Sequence, residues 1–109
     1  MAESTIKNII GTVYTDYANN RIRAMRTGNI VSLRINISET AYTGGWNTLA
    51  TLGSIYRPET NTDFMILDNT ATNKAGSPLQ LRIQADGSVR IYSFGASNIA
   101  PIGTVTYIV

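Results

Sequence analysis

Residues 31–37, VSLRINI, alternate without a break between apolar and polar side chains. In an extended chain Val31, Leu33, Ile35 and Ile37 share one side, and Ser32, Arg34 and Asn36 share the other. A helix would scatter the same residues around its circumference, so this pattern commits the stretch to a half-buried strand. The period of two returns elsewhere. In LQLRIQ it sets Leu79, Leu81 and Ile83 against Gln80, Arg82 and Gln84. In SVRIYS it sets Val89 and Ile91 against Arg90 and Tyr92, and in TVTYIV it sets Val105, Tyr107 and Val109 against Thr104 and Thr106. IRAMR, 22–26, is a shorter run of the same kind.

Turn chemistry separates these runs. RTGN at 26–29 and QADGS at 84–88 carry Gly-Asn and Asp-Gly pairs, which accept positive φ at little cost and favour hairpins. Leu79–Gln84 is therefore predicted to pair with Ser88–Ser93 through Ala85-Asp86-Gly87, with Arg82 and Arg90 on the outer face. ESTIKNIIGTVY reads as a turn of helix capped by Ser4 or Thr5, which Gly11 and the following β-branched residues do not let continue. DNTATNKAGSP, 68–78, and FGASNIAPIG, 94–103, read as polar loops. Short strands, Gly- and Asn-rich turns and no intervening helical period predict an all-β antiparallel sandwich or barrel, jelly-roll-like. At 109 residues this is one domain. Residues 1–20 are a short segment or strand leading in, and 21–109 form the β domain.

Composition narrows the function. Only 15% of residues are charged, so the polar surface comes from Thr, Ser and Asn, which suits neutral partners. The net charge of +2 is spread along the chain with no basic stripe, which argues against nucleic acid. No apolar run approaches the length of a membrane span, about 20 residues, so no membrane insertion is expected. MAESTIKNII lacks the basic head and apolar core of a signal peptide, so synthesis in a cytoplasm is expected. Cysteine and histidine are absent. That removes disulfides, thiolate nucleophiles, His general bases and Cys/His metal sites, and no cofactor is implied. Carboxylate chemistry would need a positioned pair. Among Glu39, Glu59, Asp63, Asp68 and Asp86, the last two are explained by turns and both glutamates lie in polar stretches. No pair stands out, and the chain reads as a binding or structural protein, not an enzyme.

The stretch 43–60, TGGWNTLATLGSIYRPET, holds the single tryptophan beside a Gly-Gly pair. It stands in a series: GNIVSLRINI, then GGWNTLATLGSIYRP, DFMIL, LQLRIQADGSVRIY and a closing GTVTYIV. This ordered set, spanning Arg21 to Val109, resembles the C-terminal head domains of tail-fibre and baseplate receptor-binding proteins from phages of Gram-positive hosts. Those heads carry a G-N-x-V strand, a G-W segment ending in L-P-x-G-[YF]-x-P, a D-G hairpin and a final G-x-x-T-Y strand. The chain departs from the pattern at Leu52-Gly53-Ser54-Ile55-Tyr56, which lacks the first proline. Only about twenty residues precede the matched part, which fits either an excised head or a small accessory tip protein.

The resemblance implies a homotrimeric head at a virion's tail tip, with other tail or baseplate proteins as neighbours and a host cell-surface saccharide as ligand. It implies that Trp46 is a structural crossing packed against the sandwich or the trimer seam. The alternative is an indole stacked on a sugar, with Tyr42, Asn47, Tyr56 and Arg57 nearby. The candidate ligand-binding set is Tyr42, Trp46, Asn47, Arg57 and Asp63, with the Arg57 fork suited to a phosphate on the polymer. Two other readings stay open: a structural trimerisation or decoration module with no ligand, and a stand-alone carbohydrate-binding module.

Overall fold

The computed structural model describes residues 11–70, 76–95 and 97–109. Its strands are β1 (Thr12–Tyr17), β2 (Ile22–Thr27), β3 (Ile30–Asn36), β4 (Thr40–Tyr42), β5 (Gly45–Thr51), β6 (Thr62–Asp68), β7 (Ser77–Ile83), β8 (Ser88–Ser93), β9 (Ser97–Ile99) and β10 (Pro101–Ile108). A single 3-10 turn, Ser54–Tyr56, lies between β5 and β6. Eight strands form one antiparallel sheet in the order β1-β2-β3-β10-β6-β7-β8-β5, and β4 pairs with β9 in a separate ribbon. The large sheet curls into a half-barrel, the all-β architecture that the alternating runs predict.

The alternation works as read. Val31, Leu33 and Ile35 are fully buried on β3, and Leu81, Ile83, Val89 and Ile91 are fully buried on β7 and β8. Each such side chain contributes about 1.5–3 kcal/mol by leaving water. The predicted hairpin forms with Leu81 opposite Ile91, Arg82 opposite Arg90 and Ile83 opposite Val89. Its turn closes through Gly87 N–H donating to Gln84 O at 2.9 Å and Gln84 N–H to Ser88 O at 2.9 Å. The Asp86 carboxylate accepts from Ser88 N–H at 2.9 Å, which holds its pKa below the ordinary aspartate value.

The described residues decide one alternative left open by the sequence and differ from expectation in two places. Thr12–Tyr17 is a full edge strand in register with β2, from Thr12 opposite Thr27 to Tyr17 opposite Ile22. The turn joining them carries Ala18, Asn19 and Asn20 all at positive φ, so it needs no glycine. Residues 94–103 are not a loop, because they hold β9 and the start of β10. Ile99, Ala100 and Pro101 are buried there. Pro101 opens its strand, a position where the missing N–H does little harm. The polar stretch 68–78 shortens to a connection, since Asp68 ends β6 and Ser77 begins β7. The predicted helical turn at residues 4–10 lies outside the described residues.

The segment after β5 explains part of the Trp-containing stretch. Tyr56 is 2% exposed and plugs the half-barrel. Its carbonyl accepts from Tyr107 Oη at 2.6 Å, and its hydroxyl bonds Thr15 Oγ1 at 2.9 Å. Gly53 N–H donates to Tyr17 Oη at 2.9 Å. The buried Arg26 guanidinium donates to Gly28 O and Ile55 O, each at 2.7 Å. The plug thus ties β1, β2 and β10 together, and β1 is joined to the segment that follows the opposite sheet edge, β5.

Candidate functional site

On the outer face of the β6-β7-β8-β5 part of the sheet, period two aligns polar and aromatic side chains. Asp63 stands opposite Arg82, Arg82 opposite Arg90, Arg90 opposite Thr48, and Tyr92 opposite Trp46. Arg82 grips Asp63 with both ends of its fork, Nε to Oδ1 at 2.7 Å and Nη2 to Oδ2 at 3.1 Å. That contact holds the Asp63 carboxyl below the usual aspartate value and raises Arg82. The same guanidinium lies 4.5 Å from the centre of the Trp46 ring, a cation–π contact.

Trp46 meets Tyr92 edge-on at 5.3 Å between ring centres, and Tyr92 meets Phe94 edge-on at 4.9 Å. The three rings form a row leading off the sheet. Trp46 is half-buried, with one neighbour over its face and another at its edge. Phe94 is 84% exposed. Edge-to-face pairs in this distance range are favourable, so each ring of the row gains from its neighbour although the last member stands in solvent.

Phe94 also lines a cleft of about 320 Å³ with Asp68, Ser77, Pro78, Leu79, Ser93, Ser97 and Ile99. The volume lies at the lower end of the range for small-ligand sites. Ser93 Oγ donates to Gly95 O at 2.8 Å and lies 3.3 Å from Ser97 Oγ. Asp68, 1% exposed, is organised by its own turn. Its Oδ1 accepts from Thr70 N–H at 3.0 Å, Thr70 Oγ1 at 2.5 Å and Ala100 N–H at 2.9 Å. An exposed ring at the rim of a cleft with serine hydroxyls can take a ligand that has both an apolar C–H face and hydroxyl groups.

The five expected residues do not gather at one point. Trp46 and Asp63 share the outer face and are connected through Arg82. Tyr42 sits on β4 opposite Ser97 and packs half-buried against the core, which pushes its phenol pKa up. Asn47 spends its amide locally: Nδ2 donates to Thr43 O at 2.9 Å and Gly45 O at 3.1 Å, while Oδ1 accepts from Thr43 Oγ1 at 3.0 Å. Arg57 lies beyond the far end of β5, roughly 20 Å from Trp46 along the strand at about 3.3 Å per residue. There its Nε donates to Leu52 O at 2.9 Å. Tyr56 is core.

The residues missed are Tyr92, Phe94 and Arg82 as partners of Trp46. The signal for the first two was present, since SVRIYSF continues its alternation through Phe94 and places both rings on the same side as Arg90. The proximity of Arg82 to Trp46 depends on β5 pairing with β8, which no local pattern encodes. No protein-family model matches the chain, and comparison with curated proteins finds no relative.

Proposed function

We propose that this chain is a host-recognition head of a phage tail fibre or baseplate that binds a host cell-surface saccharide at the Phe94 corner. The observation that carries the binding role is the exposed Phe94, packed edge-on against Tyr92 beside a cleft lined by three serines. The ordered resemblance of the motifs from Arg21 to Val109 supports the virion setting. Sugar C–H faces stack on aromatic rings, while hydroxyls exchange water for the partly exposed Ser97 at the cleft. Each such hydrogen bond contributes only about 0.5–1.5 kcal/mol net. One shallow site is therefore weak, and display of several heads raises avidity by roughly 10²–10⁴. The role needs no cofactor and no bond-making step.

The test is decoration of host cells by fluorescent multimerised heads, compared with folded Phe94→Ala and Trp46→Ala variants. Phe94 is almost fully exposed, so its removal should leave stability within about 0.5 kcal/mol while weakening attachment. Wild-type heads that attach to no host would remove the recognition reading. Attachment unchanged in Phe94→Ala would move the site elsewhere.

A second reading, a trimerisation or decoration module, is favoured by a different patch. Ile30 and Ile108 face each other in register on the outer side, 53% and 74% exposed, with Met25 and Tyr14 nearby on β2 and β1. Apolar strand faces of this kind suit coverage by further copies. Heads that assemble but bind no saccharide would favour this reading. A stand-alone carbohydrate-binding module would bind soluble glycans yet take no place in a virion.

A further inference from the structure

Phe94 stands in solvent with one ring neighbour, so its place depends on the backbone that carries it. Gly95 N–H donates to Ser93 O at 3.0 Å, which centres a γ-turn on Phe94. Ser93 Oγ closes the same turn on Gly95 O at 2.8 Å. Gly95 stands at φ +84°, a value that suits glycine.

A second connection lies against this turn. Tyr42 of β4 pairs with Ser97 of β9, and Gly45 of β5 pairs with Ser93 of β8. Thr43 and Gly44 therefore pass from one ladder to the other beside Phe94 and Gly95, where the chain leaves β8. The approach is close. A Cβ on Gly44 would come 3.1 Å from Gly95 Cα, 3.4 Å from its N and 3.5 Å from its carbonyl carbon. All three are backbone atoms, which do not swing aside, so any bulk at Gly44 shifts the turn and Phe94 with it.

Asn47 holds Gly44 in that position. Its Nδ2 donates to Thr43 O at 2.9 Å and to Gly45 O at 3.1 Å, one carbonyl on each side of Gly44. Its Oδ1 accepts from Thr43 Oγ1 at 3.0 Å. The amide has thus committed both its donor and its acceptor end to the connection. We infer that Asn47 and Gly44 are positioning residues for the Phe94 contact: the Asn47 amide fixes the path of Gly44, and Gly44 sets where the turn bearing Phe94 can lie. The inference rests on the saccharide reading above and assigns Asn47 a role without contact to the sugar.

The test has two measurements on the whole chain. The first, made with no sugar, is the set of NMR cross-peaks between the Tyr92 and Phe94 rings. The second is the concentration of fluorescent multimerised heads that half-saturates Gram-positive host cells. Asn47→Ala and Gly44→Ala should each weaken the cross-peaks and raise that concentration about tenfold, as loss of one good contact does. In a Phe94→Ala background, Asn47→Ala should add less than about twofold, because residues acting through one another are not additive. Asn61→Ala is the control. It removes another asparagine bond to backbone, Oδ1 accepting from Ala85 N–H at 3.0 Å, at the far end of β8, and should change neither measurement. If Asn47→Ala does not fold, Gly44→Ala, which deletes no side-chain bond, carries the test. Cross-peaks that persist in both brace variants would overturn the inference. So would losses that multiply in the double variant, since Asn47 would then touch the ligand itself. If wild-type heads attach to no host, the saccharide reading falls, and the ring cross-peaks alone decide whether Asn47 and Gly44 place Phe94.

Discussion

Gly87→Ala is the substitution whose cost can be worked out most fully. Gly87 lies at φ +94°, where a side chain is strained at about 1–2 kcal/mol. A Cβ there would sit 2.5 Å from Leu52 O, 2.8 Å from Arg57 Nε and 3.2 Å from Leu52 N. The first and third of these are backbone atoms, which do not swing aside. The turn must therefore back away from the segment after β5, losing the Leu52 N–H bond to Gly87 O, 2.8 Å long. That bond is worth about 0.5–1.5 kcal/mol, so the total is roughly 1.5–3.5 kcal/mol. Gly28→Ala is the control. It has positive φ, +58°, but a Cβ there meets nothing within 4 Å, so only the strain of about 1–2 kcal/mol applies. Urea unfolding of both variants at one protein concentration separates docking from strain. Gly87→Ala should be the less stable by about 0.5–1.5 kcal/mol, equivalent to several degrees in melting temperature for a domain of this size. Equal stabilities would show that the hairpin tip does not bear on Leu52.

Two further outcomes follow from the geometry, and a third from the proposed trimer. Leu81→Ala, at a fully buried position, should cost about 2–5 kcal/mol in urea unfolding, and a loss below 1 kcal/mol would place Leu81 outside a packed core. Asp63 should titrate below the ordinary aspartate value of about 3.9 because Arg82 binds its charged form. Its folded pKa is depressed, so its contribution to stability is present above the unfolded value and is lost as pH falls through the folded one. Carboxyl NMR should show the low value in the wild type and a return to normal in Arg82→Gln. Light scattering at micromolar concentration should give the mass of about three chains, and a monomer would leave the Ile30 and Ile108 patch without the partner copies proposed for it.

Fold was legible where the sequence carries period two next to glycine-containing turns. Val31 to Ile35 and the 79–93 hairpin needed no tertiary information, because burial side and turn geometry both follow from neighbouring residues. β1 was less legible. TVYTDY is an edge strand with its first four residues exposed, so it lacks a continuous apolar side, and its turn uses Ala18, Asn19 and Asn20 at positive φ in place of glycine. The 97–103 region misread as a loop because Pro101 and Gly103 look like punctuation, yet each fits the strand: one opens it, and the other sits against Ile66 where a Cβ would come within 2.9 Å of Cγ2. The site was legible one residue at a time and not as a group. Trp46 was identified by its rarity, but its partners come from β7 and β8, more than thirty residues away.

That separation bears on which variant reports on binding. Trp46 carries the Arg82 guanidinium on its face and Tyr92 at its edge. Removing the indole frees Arg82 to move and deprives Tyr92 of a neighbour, so the charge near Arg90 and the aim of Phe94 change together. A binding loss in Trp46→Ala would therefore not distinguish a ring that touches sugar from a ring that positions its neighbours. Phe94 has one ring neighbour, Tyr92, and projects into solvent. Its truncation removes a contact surface and leaves the Asp63, Arg82 and Trp46 linkage in place. Trp46→Phe adds the complementary measurement, since a smaller ring still offers Arg82 and Tyr92 a π face. If Trp46→Phe keeps attachment while Phe94→Ala loses it, the indole is a positioning residue and the exposed phenyl is the surface that meets the ligand. The reverse result would return the contact to Trp46 and leave Phe94 as an exposed ring without that role.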